Sequence, residues 1–191
     1  MCIGYSTMSY RDTVKIQNVV GSTGIDQELA LEQLAKDLEG SDYNPDNFPG
    51  LIYRLQDPKA TTLIFRSGKI VCTGSQSVDL LTEAITIVFG ELSELGIPVP
   101  EEPDITIQNI VSGADLGKAL NLNALAIGLG LESVEYEPEQ FPGLVYRLDD
   151  PSVVILLFGS GKLVITGAKT YEEAVEGVEV VAERVSELGL L

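Results

Sequence analysis

A segment of about ninety residues occurs twice in this chain, and that duplication limits what it can fold into more than any other feature. Val14-Lys15-Ile16-Gln17-Asn18-Val19-Val20 returns as Ile105-Thr106-Ile107-Gln108-Asn109-Ile110-Val111. Phe48-Pro49-Gly50-Leu51-Ile52-Tyr53-Arg54-Leu55 returns as Phe141-Pro142-Gly143-Leu144-Val145-Tyr146-Arg147-Leu148. Leu63-Ile64-Phe65-Arg66-Ser67-Gly68-Lys69 returns as Leu156-Leu157-Phe158-Gly159-Ser160-Gly161-Lys162. Two copies of this length describe a duplicated half-domain, not a solenoid. The division that follows is a tail at 1–11, a first repeat at 12–96, a proline-rich linker at 97–103 and a second repeat at 104–191.

Each repeat predicts the same elements. A β-rich run opens it, at 13–20 and 105–111. An amphipathic helix follows, Asp26–Leu38 in the first copy and a shorter Leu122–Ile127 in the second. Three strands come next, at 50–56, 61–66 and 69–74, with partners at 143–149, 153–158 and 162–167. Ser67-Gly68 and Ser160-Gly161 read as hairpin turns. A long helix closes each copy. Its apolar residues are Val78, Leu81, Ile85, Val88, Leu92 and Leu95 in one, and Tyr171, Ala174, Val178, Val181, Val185 and Leu188 in the other. Both sets advance by three and four residues in turn, which marks one helical face. Ser77 and Thr170 are natural N-caps, Thr170 with Glu173 spells a capping box, and Gly96 and Gly189 stand where helices end.

One stripe per helix covers one face of a sheet and leaves the other open. Strand alternation puts Leu51, Tyr53, Leu55, Ile64 and Cys72 under the helix. The open face then carries Ile52, Arg54, Thr61, Leu63, Phe65, Lys69, Val71 and Thr73. Its second-repeat equivalent is Val145, Arg147, Val154, Leu156, Phe158, Lys162, Val164 and Thr166. Such a surface is apolar in the middle and calls for a docked partner.

The formal net charge of −17 argues against a phosphate-bearing partner when the chain is taken whole. Its distribution reverses the argument. The strand regions 10–20, 48–74, 105–111 and 141–167 hold eight Lys or Arg against four Asp or Glu, while the rest holds four against twenty-five. A local cationic surface survives on an acidic body because fields decay within a Debye length of ~10 Å at 0.1 M salt. Catalysis has little support. The chain has no histidine and only two cysteines, Cys2 and Cys72, so the commonest general base and a zinc cluster are both missing. Gly159-Ser160-Gly161-Lys162 shares the tail of a phosphate-binding loop but lacks its first glycine and following Ser or Thr. Asp149-Asp150 before Pro151 reads as a turn. No apolar run is long enough to span a bilayer and no secretory signal is visible, so the sequence points to a cytoplasmic protein that is not an enzyme, needs no cofactor and has no membrane partner.

The paired Gln-Asn segments, Phe-Pro-Gly turns and Phe-x-Ser-Gly-Lys hairpins together resemble the TATA-binding protein family, archaeal type, from about residue 12 to the end. The resemblance implies an α+β fold: a two-repeat pseudo-symmetric saddle whose continuous curved antiparallel sheet carries helices on its convex face. It implies a general transcription initiation factor that binds the TATA-box element of double-stranded DNA in the minor groove and bends it, and the family is itself a standard case of that mode. By the same resemblance Phe48, Phe65, Phe141 and Phe158 are wedges between base steps. Asn18 and Asn109 donate to the minor-groove acceptors of A·T pairs. Val20, Val71, Val111, Val164, Leu63, Leu156, Thr73 and Thr166 meet the groove floor. Arg54, Lys69, Arg147, Lys162, Ser67 and Ser160 touch phosphates. Glu137 and Glu139, before Phe141, are contacts for transcription factor B, through which RNA polymerase is recruited indirectly.

The chain departs from the family's eukaryotic members in having no Lys or Arg at 77–95 and no long N-terminal extension, which favours an archaeal protein. Its acidity resembles proteins of salt-loving archaea. Arg66 stands where the second repeat has Gly159, so that turn meets phosphate differently. Residue by residue, bland alternatives stand beside these roles: core packing for the phenylalanines, acidic neighbours for Arg54 and Arg147, a solvated loop for Glu137 and Glu139. For the whole chain the alternatives are a saddle reused to bind protein or small ligands, and a paralogue with altered promoter preference. A nucleoid-associated location goes with the main reading.

Overall fold

The computed structural model describes residues 10–191 except residue 131. Most of the expected tail, and Cys2, therefore lie outside the described residues. A 3-10 turn, Tyr10–Thr13, leads into β1 (Lys15–Gly24), followed by α1 (Leu31–Asp37), β2 (Ser41–Asp42), β3 (Leu51–Gln56), β4 (Lys59–Ile64), β5 (Lys69–Ser75) and α2 (Val78–Glu94). The second repeat runs β6 (Thr106–Asp115), α3 (Leu122–Gly128), β7 (Val134–Glu135), β8 (Gly143–Leu148), β9 (Val153–Phe158), β10 (Lys162–Ala168) and α4 (Tyr171–Glu187). The fold is α+β, and the described strand pairs are antiparallel. Strand order is β2-β3-β4-β5-β1 in one repeat and β7-β8-β9-β10-β6 in the other.

Among the described residues the chain forms two compact units: 18–109, and 110–191 joined by 10–17. Each unit thus takes the first few residues of the other repeat's opening strand in place of its own. In the first, Leu51, Ile64, Ile70 and Cys72 from the sheet are buried with Leu81, Ala84, Ile85, Val88, Phe89 and Leu92 of α2. In the second, Leu144, Tyr146, Ile155, Leu157, Leu163 and Ile165 are buried with Ala174, Val178, Val181 and Val185 of α4. Each such aliphatic side chain contributes about 1.5–3 kcal/mol relative to exposure. Burial also thickens the Cys72 thiol's desolvation and pushes its pKa up to about 11.

The long helices begin as the sequence indicates. Ser77 Oγ accepts from the Leu80 amide at 3.1 Å, and Thr170 with Glu173 closes a full capping box. Gly96 and Gly189 follow the helix ends with φ of 81° and 70°. The predicted stripes are right in their middles only: Val78 and Leu95 at the ends of α2, and Leu188 after α4, stand about 40% exposed.

The first short helix is a correction. Asp26–Leu38 is expected to be helical, but the helix is Leu31–Asp37. The preceding residues spend their amides elsewhere. Ile25 N–H donates to the Gly68 carbonyl at 3.0 Å and Leu29 N–H to the Arg66 carbonyl at 2.8 Å. Both side chains are buried, so apolar spacing correctly marked burial while the backbone docks on the β4–β5 turn. Gly68 has φ of 85°, and a Cβ there would lie 2.2 Å from the Ile25 carbonyl oxygen. The same docking joins Leu116 and Leu120 to Gly161 and Gly159. The turn also shortens β4. β4 ends at Ile64, short of the expected 66, and Phe65 closes the hairpin: its carbonyl accepts the Gly68 N–H and its own N–H donates to the Lys69 carbonyl, each at 2.9 Å.

Candidate nucleic-acid interface

Alternation in β3, β4 and β5 sorts the side chains as expected. Leu51, Tyr53, Leu55, Ile64 and Cys72 are buried, and Ile52, Thr61, Leu63, Phe65, Val71 and Thr73 are half-buried. Register aligns the second set into rows across the strands. Ile52 lies opposite Leu63, Leu63 opposite Val71 and Val71 opposite Ser22. Arg54, Thr61 and Thr73 form the next row. In the other unit Val145, Leu156, Val164 and Gly113 form one row, and Arg147, Val154 and Thr166 another. Val20 and Val111, on β1 and β6, are half-buried as well. Each unit therefore presents a half-open apolar strip, edged in one by Arg54, Thr61 and Thr73 and in the other by Arg147, Val154 and Thr166.

The aromatic pairs sit at the ends of these strips. Phe48 and Phe65 meet edge to face with ring centroids 5.9 Å apart and planes at 62°. Phe141 and Phe158 meet at 5.9 Å and 68°. None of the four belongs to the buried core, whereas the fifth phenylalanine, Phe89, does. Gly50 and Gly143 make room for the rings. A Cβ at Gly50 would stand 2.8 Å from Phe48 and 3.1 Å from Phe65, and one at Gly143 2.7 Å from Phe141 and 3.0 Å from Phe158. Sequence reasoning did not assign these glycines, although the repeated Phe-Pro-Gly was its signal.

Asn18 is oriented by its neighbours. Its side-chain oxygen accepts the Gly74 backbone N–H at 2.7 Å, and its amide nitrogen donates to Thr73 Oγ1 at 3.1 Å. A backbone N–H demands an oxygen, so the amide cannot be reversed, and one NH₂ hydrogen remains for an acceptor. A bulge makes this possible: β1 and β5 slip register between Val19 and Gly21, bringing Gly74 toward Asn18. β6 and β10 slip in the same way between Ile165 and Ala168. Asn109 is half-buried at the equivalent position.

The cations fall into different settings. Arg54, Lys69 and Lys162 are exposed and none is in an ion pair among the described residues. Arg147 pairs with Glu135 at 3.1 Å, both more than half exposed, whereas Arg54 has no such acidic partner among the described residues. Arg66 pairs with Glu32 at 2.7 Å. That bond, after a backbone hydrogen bond, holds the Glu32 carboxyl below its usual range. Ser67 and Ser160 cap their turns, accepting from the Lys69 and Lys162 amides at 3.4 Å. Glu137 and Glu139 are exposed in the loop before Phe141. The Glu137 carboxylate accepts from the Gln140 side chain, and its carbonyl takes the Phe141 N–H at 3.0 Å. Among the described residues no helix is long and apolar enough to cross a membrane.

The sequence matches the family model described as "Transcription factor TFIID (or TATA-binding protein, TBP)" over residues 13–95 and again over 104–188. It is 69% identical over 180 residues to "TATA-box-binding protein 2" of Haloferax volcanii, covering 94% of this chain and 97% of that one. It is 66% identical over 181 residues to "TATA-box-binding protein 1" of the same organism, covering 95% and 96%. The solved structure of Methanococcus jannaschii TBP is similar with a TM-score of 0.83 and 52% identity, over 91% of this chain and 98% of that one. Two matched halves, each carrying a paired-phenylalanine strip, leave one conclusion: the chain belongs to the TATA-binding protein family, a family of transcription factors and not of enzymes.

Proposed function

We propose that the chain is a general transcription initiation factor of a salt-loving archaeon, binding an A·T-rich promoter element in the minor groove and bending it. The observation that carries this is the repeated edge-to-face phenylalanine pair, seated over a glycine at the end of a half-open apolar strip. Flat rings without polar groups suit insertion between base steps, where unstacking costs a few kcal/mol per step and the bent duplex returns contact area. Asn18 and Asn109 donate to adenine N3 and thymine O2, and the valines and leucines leave a guanine amino group unpartnered. Val20, Val71, Val111, Val164, Leu63, Leu156, Thr73 and Thr166 form the floor contacts. Arg54, Arg147, Lys69, Lys162, Ser67 and Ser160 hold phosphates. Glu137 and Glu139 receive transcription factor B, which brings RNA polymerase. The working place is the cytoplasm, on the nucleoid, and no cofactor takes part.

A duplex carrying a TATA element and a G·C-substituted one, each end-labelled for distance, test this. Tighter binding and a shortened end-to-end distance are expected for the first; equal affinity or a straight duplex overturns the reading. Phe141→Ala should reduce bending more than Lys162→Ala, and the reverse order overturns the wedge assignment. Stability of the free chain should rise from low salt to molar KCl, because screening relieves the self-repulsion of a −17 body. A second reading, a paralogue with its own promoter preference, is favoured by the two numbered relatives in Haloferax volcanii. A panel of variant promoter elements separates the two.

A further inference from the structure

The two units differ in the groove beside the hairpin turn. In the unit containing 110–191, a groove of about 800 Å³ is lined by Lys15, Gln17, Ser160 and Lys162, with Phe158 and Val164 on its apolar side. Asp12 and Asp115 also reach it. Asp115 Oδ1 is already engaged, accepting the Gly117 N–H at 2.8 Å. The equivalent groove of the other unit is lined by Ser67, Lys69 and Thr106 together with Asp26, Glu102 and Asp104. Lys15 and Thr106 occupy the same place in the repeat. One groove thus holds two cations with two carboxylates, and the other a single cation with three.

The backbone that carries Lys15 is fixed. Thr13 Oγ1 donates to the Tyr10 carbonyl at 2.7 Å and accepts the Asp115 N–H at 3.2 Å. Val14 is buried and its carbonyl accepts from the Tyr171 hydroxyl at 3.4 Å. Lys15 itself is exposed. A long cationic side chain is therefore anchored at the root and free at the tip, beside Lys162 and the Phe158 ring.

We propose that Lys15 is a phosphate-binding residue of this unit, acting with Lys162 and Ser160 on the DNA backbone, and that the other unit has no equivalent because Thr106 stands among carboxylates. The grip on phosphate is then unequal between the two units. The inference rests on the minor-groove reading above. Carboxylates around Lys69 disfavour a second phosphate there, while Lys15 adds one counterion-releasing contact that the repeat pattern does not predict.

The test is a salt series of duplex binding by the full chain, within the range where it stays folded, with Lys15→Gln, Lys15→Arg and Thr106→Lys. Lys15→Gln should lower the slope of log affinity against log salt by about 0.9, so that a roughly fourfold rise in KCl costs the variant about 3.5-fold less affinity than the parent. Lys15→Arg should keep the parental slope, and Thr106→Lys, set among Asp26, Glu102 and Asp104, should change it by less than Lys15→Gln does. The change should be the same on A·T-rich and G·C-substituted duplexes, since phosphate contacts carry no sequence information. A parental slope in Lys15→Gln overturns the proposal and leaves the minor-groove reading intact. Failure of the parent chain to bind any duplex overturns both.

Discussion

Tyr53 and Tyr146 hold the same position in the two repeats, yet their hydroxyls do opposite things. Tyr53 donates to Glu91 Oε1 at 2.9 Å. Tyr146 accepts from Arg184, whose guanidinium also lies 5.6 Å from the tyrosine ring centroid. Desolvation and then the Glu91 hydrogen bond push the Tyr53 pKa up to about 12, while Glu91 Oε2 is left with neither solvent nor partner. The exposed cations of the repeats differ again: Arg66 with Glu32 against Gly159, and Arg54, in no ion pair among the described residues, against Arg147 with Glu135. Across the open face most positions agree, Ile52 against Val145 and Thr61 against Val154 apart. The ring pairs, the glycines beneath them, and the pairs Asn18 and Asn109, Val20 and Val111, Leu63 and Leu156, Val71 and Val164, Thr73 and Thr166 are identical. The lesson concerns tolerance. Exposed ion pairs such as Arg66 with Glu32 are exchanged at small cost, whereas ring geometry over a glycine leaves no room for another side chain.

The hardest way to break the likeness is to fill that space. Gly50→Val and Gly143→Val should each displace a ring pair, cost about 1–3 kcal/mol of stability by overpacking, and abolish bending of an end-labelled duplex. If one variant alone bends normally, the two wedge pairs are not equivalent. Next comes Asn18→Ala, which removes the side-chain acceptor of the Gly74 N–H. A loss of about 1 kcal/mol in urea unfolding is expected, with weaker preference for A·T over G·C duplexes. Unchanged preference would show that the Asn18 amide reads no base.

Tyr53→Phe sharpens the contrast between the hydroxyls. A tyrosine whose folded pKa is raised keeps its proton while the unfolded chain loses it, so stability falls as pH rises from about 10 to about 12. Tyr53→Phe should flatten that fall in a series of denaturant midpoints. Smallest of all is Arg66→Gly, which makes the first turn like the second. Its partner Glu32 is exposed, so the unfolding midpoint should stay nearly unchanged; a large shift would mean that the pair anchors α1 to the turn.

Much of the candidate site's geometry was legible because its signals are local or duplicated. Alternation in β3 to β5 placed Leu63 and Val71 on the open face, and the paired spacing singled out four phenylalanines of five. What escaped depends on contacts distant in sequence. Gly50 and Gly143 look like turn residues until the rings are seen above them. Lys15 looks like a strand-end charge until Lys162 and Ser160 line the same groove.

By itself the sequence determined the duplication, the hairpins, the caps at Ser77 and Thr170 and the two faces of each strand, because these follow from short-range geometry: strand alternation, helical periodicity and glycine at turns. Tertiary structure decided the rest. Ile25–Leu29 is not helix because its amides bind the β4–β5 turn, and the Asn18 amide faces one way because a backbone N–H fifty-six residues along the chain takes its oxygen. A polar group has several partners open to it in sequence, and only the folded chain brings one of them within hydrogen-bonding distance.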